Sequence, residues 1–170
     1  MSQDDHYEAI RATNSLMLAQ VGQPPPETVL AAVLALTDYT TPTQVATIAE
    51  WSDTETTWHV FGCTERILFE VTGSKAAGDW YGGGGRVDQG DGKTVTARAL
   101  PLSRVTGTVL ELSEVSPADF GDLASLRLHG TWRIACESGV EMALPTNARN
   151  SRAREALAGI AKTALAAIQL

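Results

Sequence analysis

The stretch that decides the fold is the last one, Ser151–Leu170, which reads SRAREALAGIAKTALAAIQL. Leu157, Ile160, Ala161, Ala164, Leu165 and Ile168 recur at the three- and four-residue spacing that puts them on one face of a helix. Alanines make up a third of that face. A strip with so little bulk lets a helix lie close against a sheet. Pro145 precedes it, and either Asn147 or Asn150 is placed to cap the free amides of its first turn.

Upstream the period changes to two. Leu126, Leu128, Trp132, Ile134 and Cys136 alternate with Arg127, His129, Thr131 and Arg133, the pattern of a half-buried strand with its even positions inward. Val140, Met142 and Leu144 continue the rule after a Ser138-Gly139 turn. Further strands are expected at Val45–Trp51, Thr57–Cys63, Ile67–Thr72, Val95–Leu100 and Val105–Leu112, all rich in β-branched and aromatic residues. Polar bends at Ser52–Glu55 and Thr64–Arg66 and a loop at Ser116–Gly121 separate them. About seven antiparallel strands followed by one helix is therefore the expectation, an α+β fold.

The first third is helical in pattern. Tyr7–Gln20 carries Ile10, Ala12, Leu16, Met17 and Leu18 as a loose apolar face, and Gly22 with Pro24-Pro25-Pro26 breaks it. Pro26 suits a first helical turn, and Glu27 suits the positive end of a helix. Val29, Leu30, Val33 and Leu34 carry that second helix to Thr37-Asp38. The expected organisation is a helical extension over residues 1–40 and a body over 41–170.

Charge is unevenly spread. Residues 1–56 hold eight carboxylates against Arg11 alone, which is the whole net charge of −7, and the remainder balances. An acidic first third offers no surface for counterion release, so nucleic acid is not an expected partner. Two cysteines, Cys63 and Cys136, are too few for a disulfide framework and read as isolated buried thiols. The start, MSQDDHYEAI, has no basic segment leading into an apolar one. The longest apolar run, Val29–Leu36, is far short of the roughly 20 residues of a membrane span. A cytoplasmic location is expected.

Trp80–Thr94, WYGGGGRVDQGDGKT, invites a phosphate-binding reading through Gly92-Lys93-Thr94. A P-loop needs another glycine five residues before Gly92, where Val87 stands, and a helix afterwards, where Thr94–Arg98 reads as a strand. Asp88-Gln89-Gly90-Asp91 lacks the alternating ligands and distal glutamate of a calcium loop. The stretch is read as a hairpin tip. His59 and Cys63 share a strand face, but two ligands make no zinc site, and His6 falls in a segment expected to fray. No nucleophile stands beside a base at a local spacing, and no pair among Glu65, Glu70, Glu111 and Glu141 is singled out. No catalytic residue, metal or cofactor is assigned. Arg127, His129 and Arg133 share the outward face of one strand, and Arg98 on a nearby strand would complete a basic band for an acidic partner. Trp51, Trp58, Trp80 and Trp132 read as core or rim packing, with Trp80, which leads into the glycines, the candidate exception as a binding anchor.

The strand count and closing helix resemble the pleckstrin-homology-like (PH-like) barrel, in which a last helix plugs one open end. Cys63-Thr64-Glu65-Arg66-Ile67-Leu68 resembles the T-(D/E)-R-(R)-L hairpin of bacterial PH-like domains, and Leu100-Pro101-Leu102-Ser103-Arg104-Val105 resembles their I-P-L-S-x-I strand entry. The resemblance covers about residues 43–169. It implies a curled sheet or partly open barrel closed by the C-terminal helix. Phosphoinositide-binding members place Lys and Arg around the first strand turn, whereas Trp51–Glu55 is acidic here and repels a phosphate headgroup. The tryptophan of the eukaryotic closing helix is missing from 151–169. Inositol-lipid binding is therefore not expected. What the resemblance implies instead is a non-enzymatic module for protein interaction or homo-oligomer formation. A small-molecule or lipid-binding α+β cup is the alternative, and a nucleotide-using enzyme a distant third.

Overall fold

The computed structural model describes residues 3–76, 79–82, 92–117, 126–137 and 139–168. Two helices lead, α1 (Gln3–Val21) and α2 (Glu27–Leu36). Four strands follow, β1 (Gln44–Trp51), β2 (Glu55–Cys63), β3 (Ile67–Ala76) and β4 (Lys93–Pro101). A single 3-10 turn, Leu102–Arg104, leads to β5 (Val105–Pro117), β6 (Leu126–Cys136) and β7 (Glu141–Pro145), and α3 (Ser151–Ile168) closes the described chain.

All seven expected strands form and every pairing is antiparallel. They do not make one curled sheet. Strands β1-β2-β3-β4 form one sheet and β5-β6-β7 another, and the two are not closed into a barrel. The break falls at Pro101 and the 3-10 turn, where the Leu102 amide turns back to the Arg66 carbonyl at 2.8 Å and the Leu102 side chain is buried. Two strands also run on: β3 reaches Ala76, and β5 reaches Pro117 rather than stopping at Leu112.

Alternation along the four-stranded sheet feeds two cores. Ala46, Phe61, Cys63, Leu68 and Leu100 point to one side, where they meet Ile134, Met142 and Leu144 of the smaller sheet. Between the sheets lies α3, contributing Ala153, Ala156, Leu157, Ile160, Ala161 and Ala164. Val45, Trp58, Val60, Phe69 and Val71 point the other way and are covered by Met17 of α1 and by Val29 and Val33 of α2. The N-terminal helices are thus a packed layer on the sheet rather than a free arm. Burial on both faces explains why β2 ends in four consecutive buried residues instead of alternating.

Details depart from the pattern-based reading. The buried row of α1 is Ala9, Thr13 and Met17, whereas Ile10, Leu16 and Leu18 are exposed. A row spaced by four residues runs nearly straight down a helix and seats on the sheet better than the more numerous aliphatics scattered around it. Val140 is exposed because it precedes β7. Leu165 and Ile168 emerge at the end of α3. His6 is not frayed; it stands in α1 and its ring stacks on Tyr39 with centroids 4.8 Å apart. Among the described residues, no helix is long and apolar enough to cross a membrane.

Asn150 is the cap of α3. Its Oδ1 accepts from the amides of Arg152 at 2.8 Å and Ala153 at 3.4 Å. We expect Asn150→Ala to cost about 1 kcal/mol, a fall of a few degrees in the melting temperature, while Asn147→Ala stays within about 0.5 kcal/mol. Thermal melts followed by circular dichroism test both.

Candidate functional site

Trp80 is not the exposed anchor that its place before the glycines suggests. It is fully buried, and its carbonyl accepts the Trp58 indole N–H at 2.8 Å. Gly73 makes room for it: a Cβ there would lie 3.0 Å from the Trp80 ring and 2.7 Å from Val29. The following Gly82 amide donates to the Pro24 carbonyl at 2.9 Å, so the chain leaving β3 is tied beneath the α1–α2 linker. Residues 83–91 of the glycine stretch lie outside the described residues. Beyond them Lys93 and Thr94 open a strand that pairs with β3, so Gly92-Lys93-Thr94 lacks the helix a phosphate cradle uses.

The basic band does not assemble on one surface either. Arg98 sits directly opposite Glu70 across β3–β4, and its Nε donates to Glu70 Oε2 at 2.6 Å. It has the parity of Leu100 and so belongs to the side of the large sheet that faces the small one. Arg133 lies on the far side of β6 from Ile134, where Nε donates to Glu111 Oε2 at 2.7 Å and an Nη stands 3.5 Å from Glu141. The Glu111 hydrogen bond, then its charge, hold the Arg133 proton more firmly than usual, with Glu141 adding to the effect. His129 stands on the same side of β6, half-buried, and its carbonyl accepts from Ser113 Oγ at 3.0 Å. The Arg127 side chain lies outside the described residues. Both cysteines are buried free thiols, and burial, followed by Glu137, pushes the Cys136 thiol up.

The concave face holds the candidate site. Near α3 the inward row of the large sheet is apolar. Toward the β1–β2 turn it becomes polar, with Glu50 on β1, Glu55, Thr57 and His59 on β2, and Glu70 and Thr72 on β3. His59 and Thr72 are register partners, with Nδ1 and Oγ1 3.5 Å apart. All of these polar residues but Thr72 line an open cleft of about 1010 Å³ between the two sheets, with β1 along one wall and Ala143, Pro145 and the loop of residues 147–150 along the other. Arg154 holds that loop, donating from Nη1 to the carbonyls of Ala148 at 2.8 Å and Arg149 at 2.9 Å. Among the described residues no group of three or more His, Cys, Asp or Glu could hold a metal ion.

Both walls are strand edges, because β1 ends one sheet and β7 ends the other. An edge exposes a row of backbone donors and acceptors. On β1 part of that row is already taken by a side chain. Gln20 at the end of α1 donates from Nε2 to the Val45 carbonyl and accepts from the Thr47 amide at Oε1, each at 2.6 Å. Its carboxamide therefore stands where a neighbouring strand's peptide group would stand. Beyond it, the alternation of an antiparallel strand aims the Ala49 N–H and C=O off the same edge, and neither has a partner among the described residues. Trp51, 43% exposed, ends the wall with its ring edge-on to Trp58 at 6.0 Å.

Gln20 is the residue of the candidate site that sequence reasoning misses. A glutamine at the end of a helix carries no local signal, and its partners are 25 and 27 residues away. We expect Gln20→Ala to destabilise by about 1–3 kcal/mol and to speed amide exchange at Thr47 selectively. No protein-family model matches the chain, and no curated protein and no solved structure matches it.

Proposed function

We propose that the chain is a non-enzymatic protein-interaction module of PH-like design, which takes a segment of a partner in the cleft between β1 and β7. The observation that carries this reading is the pair of strand edges that no further strand covers among the described residues, flanking an open, mixed-polarity cleft of about 1010 Å³. The closing helix supports the PH-like part, since α3 fills the space between the two sheets much as the plugging helix of that family does. A small-ligand cup is the second reading, favoured by a volume at the upper end of small-molecule sites. Open walls and a floor of carboxylates, imidazole and hydroxyls suit a polypeptide better than an apolar guest.

A photo-crosslinking residue placed at Ser52, on the cleft rim, should capture a polypeptide in cells, whereas the same residue at the exposed Lys162 on α3 should not. Native protein that carries a stoichiometric small molecule, with no polypeptide crosslinked from Ser52, overturns the reading in favour of the cup. Capture of a second copy of the chain turns the module into a self-assembling one.

A further inference from the structure

We infer that the partner segment is an extended, lysine- or arginine-bearing stretch of another protein, added as a fifth strand along the free edge of β1. This rests on reading the cleft as a docking place and goes on to name its occupant. The first argument is geometric. The β1 edge already accepts a peptide-like group, because the Gln20 carboxamide offers the Val45 carbonyl a donor and the Thr47 amide an acceptor, the same pair of groups an incoming backbone would present. Gln20 also sets the register, since those two groups are taken and strand addition is confined to the row from Ala49 to Trp51. Main-chain hydrogen bonds supply affinity in this mode, and alternate side chains supply specificity.

The second argument is charge. An added strand places every other side chain on the concave side, beside Glu50, with Glu55 one strand further on at the start of β2. Neither carboxylate has an ion-pair partner among the described residues, in contrast to Glu70, which Arg98 neutralises. Arg149 on the opposite wall is the one arginine among the described residues that line the cleft, so Glu50 and Glu55 still leave it net acidic, and such a cleft attracts cationic side chains and repels anionic ones. The intervening side chains of the added strand lie on the side of Trp51, whose exposed ring can take an apolar group or a cation against its face. The pattern recognised is therefore a cationic residue at alternate positions with apolar or cationic residues between. Strand pairing alone would accept any sequence; the glutamates make it selective.

Three peptides test this: acetyl-Ser-Lys-Val-Lys-Val-Lys-Ser-amide, the same sequence with glutamate for lysine, and the lysine peptide N-methylated at both valines. Titrations followed by amide chemical shifts should show the lysine peptide shifting Ala49, Glu50 and Trp51. It should bind about tenfold or more tightly than the glutamate peptide, and N-methylation should remove binding by a similar factor. In a folded Glu50→Lys, Glu55→Lys double variant the preference should reverse in favour of the glutamate peptide, a gain that a damaged protein cannot show. Equal binding of the methylated peptide, an unreversed preference, shifts confined to another edge, or no binding at millimolar peptide each overturns the inference. If the peptides fail while Ser52 still crosslinks to a polypeptide, the cleft docks something other than a basic strand. If both fail, the docking reading falls as well.

Discussion

Replacing Trp58 with alanine should cost about 3–5 kcal/mol, a loss on the order of 10 °C in melting temperature for a chain of this length. Trp58 is fully buried in the core between the large sheet and the N-terminal helices, in the company of Met17, Val29, Val33 and Trp80. Two losses combine in the substitution. The cavity removes the packing of a whole indole, and the Trp80 carbonyl, which accepts the indole N–H at 2.8 Å, is left without that donor in a buried place. Trp58→Phe separates them. It restores most of the volume and should recover the larger part of the stability, leaving about 1–3 kcal/mol for the missing hydrogen bond. Trp51→Ala is the control, since that ring is 43% exposed and only its edge contact with Trp58 is at stake. Urea unfolding followed by circular dichroism measures all three. A Trp58→Ala loss below about 1 kcal/mol would mean that the helical layer does not share a core with the sheet.

Much of this architecture is written in local pattern. The alternation at Trp132, Ile134 and Cys136 and again at Met142 and Leu144 places the inner face of the small sheet, and Asn150 caps α3 from one of the two positions its chemistry allows. The acidic bend Trp51–Glu55 is also visible, though only as a feature hostile to phosphate; Glu50 and Glu55 acquire meaning when the fold sets them on one concave face. What stays hidden is set by tertiary packing. Trp80 is drawn inward because Gly73, on the facing strand, leaves space for its ring, and the run of glycines after it says nothing about that space. Gln20 reaches the β1 edge only once α1 has docked. The division of the strands into two sheets is likewise invisible to periodicity, because both arrangements use the same alternation. Arg98 and Arg133 share a charge and a strand setting, yet they end on different surfaces, each beside a carboxylate.

Ile160→Asp should unfold the protein at neutral pH or cost at least about 4 kcal/mol, whereas Leu165→Asp, on the same helix, should stay within about 1 kcal/mol. The substitutions are chemically alike and differ in where α3 seats. Ile160 is fully buried in the core shared by both sheets; Leu165 is 45% exposed. Among the described residues no buried side chain is a cation, so a carboxylate at Ile160 is desolvated without compensation. Its pKa in the folded chain must rise above the usual value of about 3.9, and the sign of the pH dependence follows. Where the unfolded chain holds the carboxyl ionised and the folded chain pays to ionise it, the variant falls furthest behind the native protein. As pH drops through the folded-state pKa the new carboxyl takes up its proton in the fold, and below about 3.9 it is neutral in both states. The deficit of Ile160→Asp relative to the native chain should therefore shrink from pH 7 toward pH 4, while that of Leu165→Asp stays nearly flat. Equal deficits for the two variants would place α3 outside the space between the sheets, and the cleft would then lose the helix that anchors its Asn147–Asn150 wall.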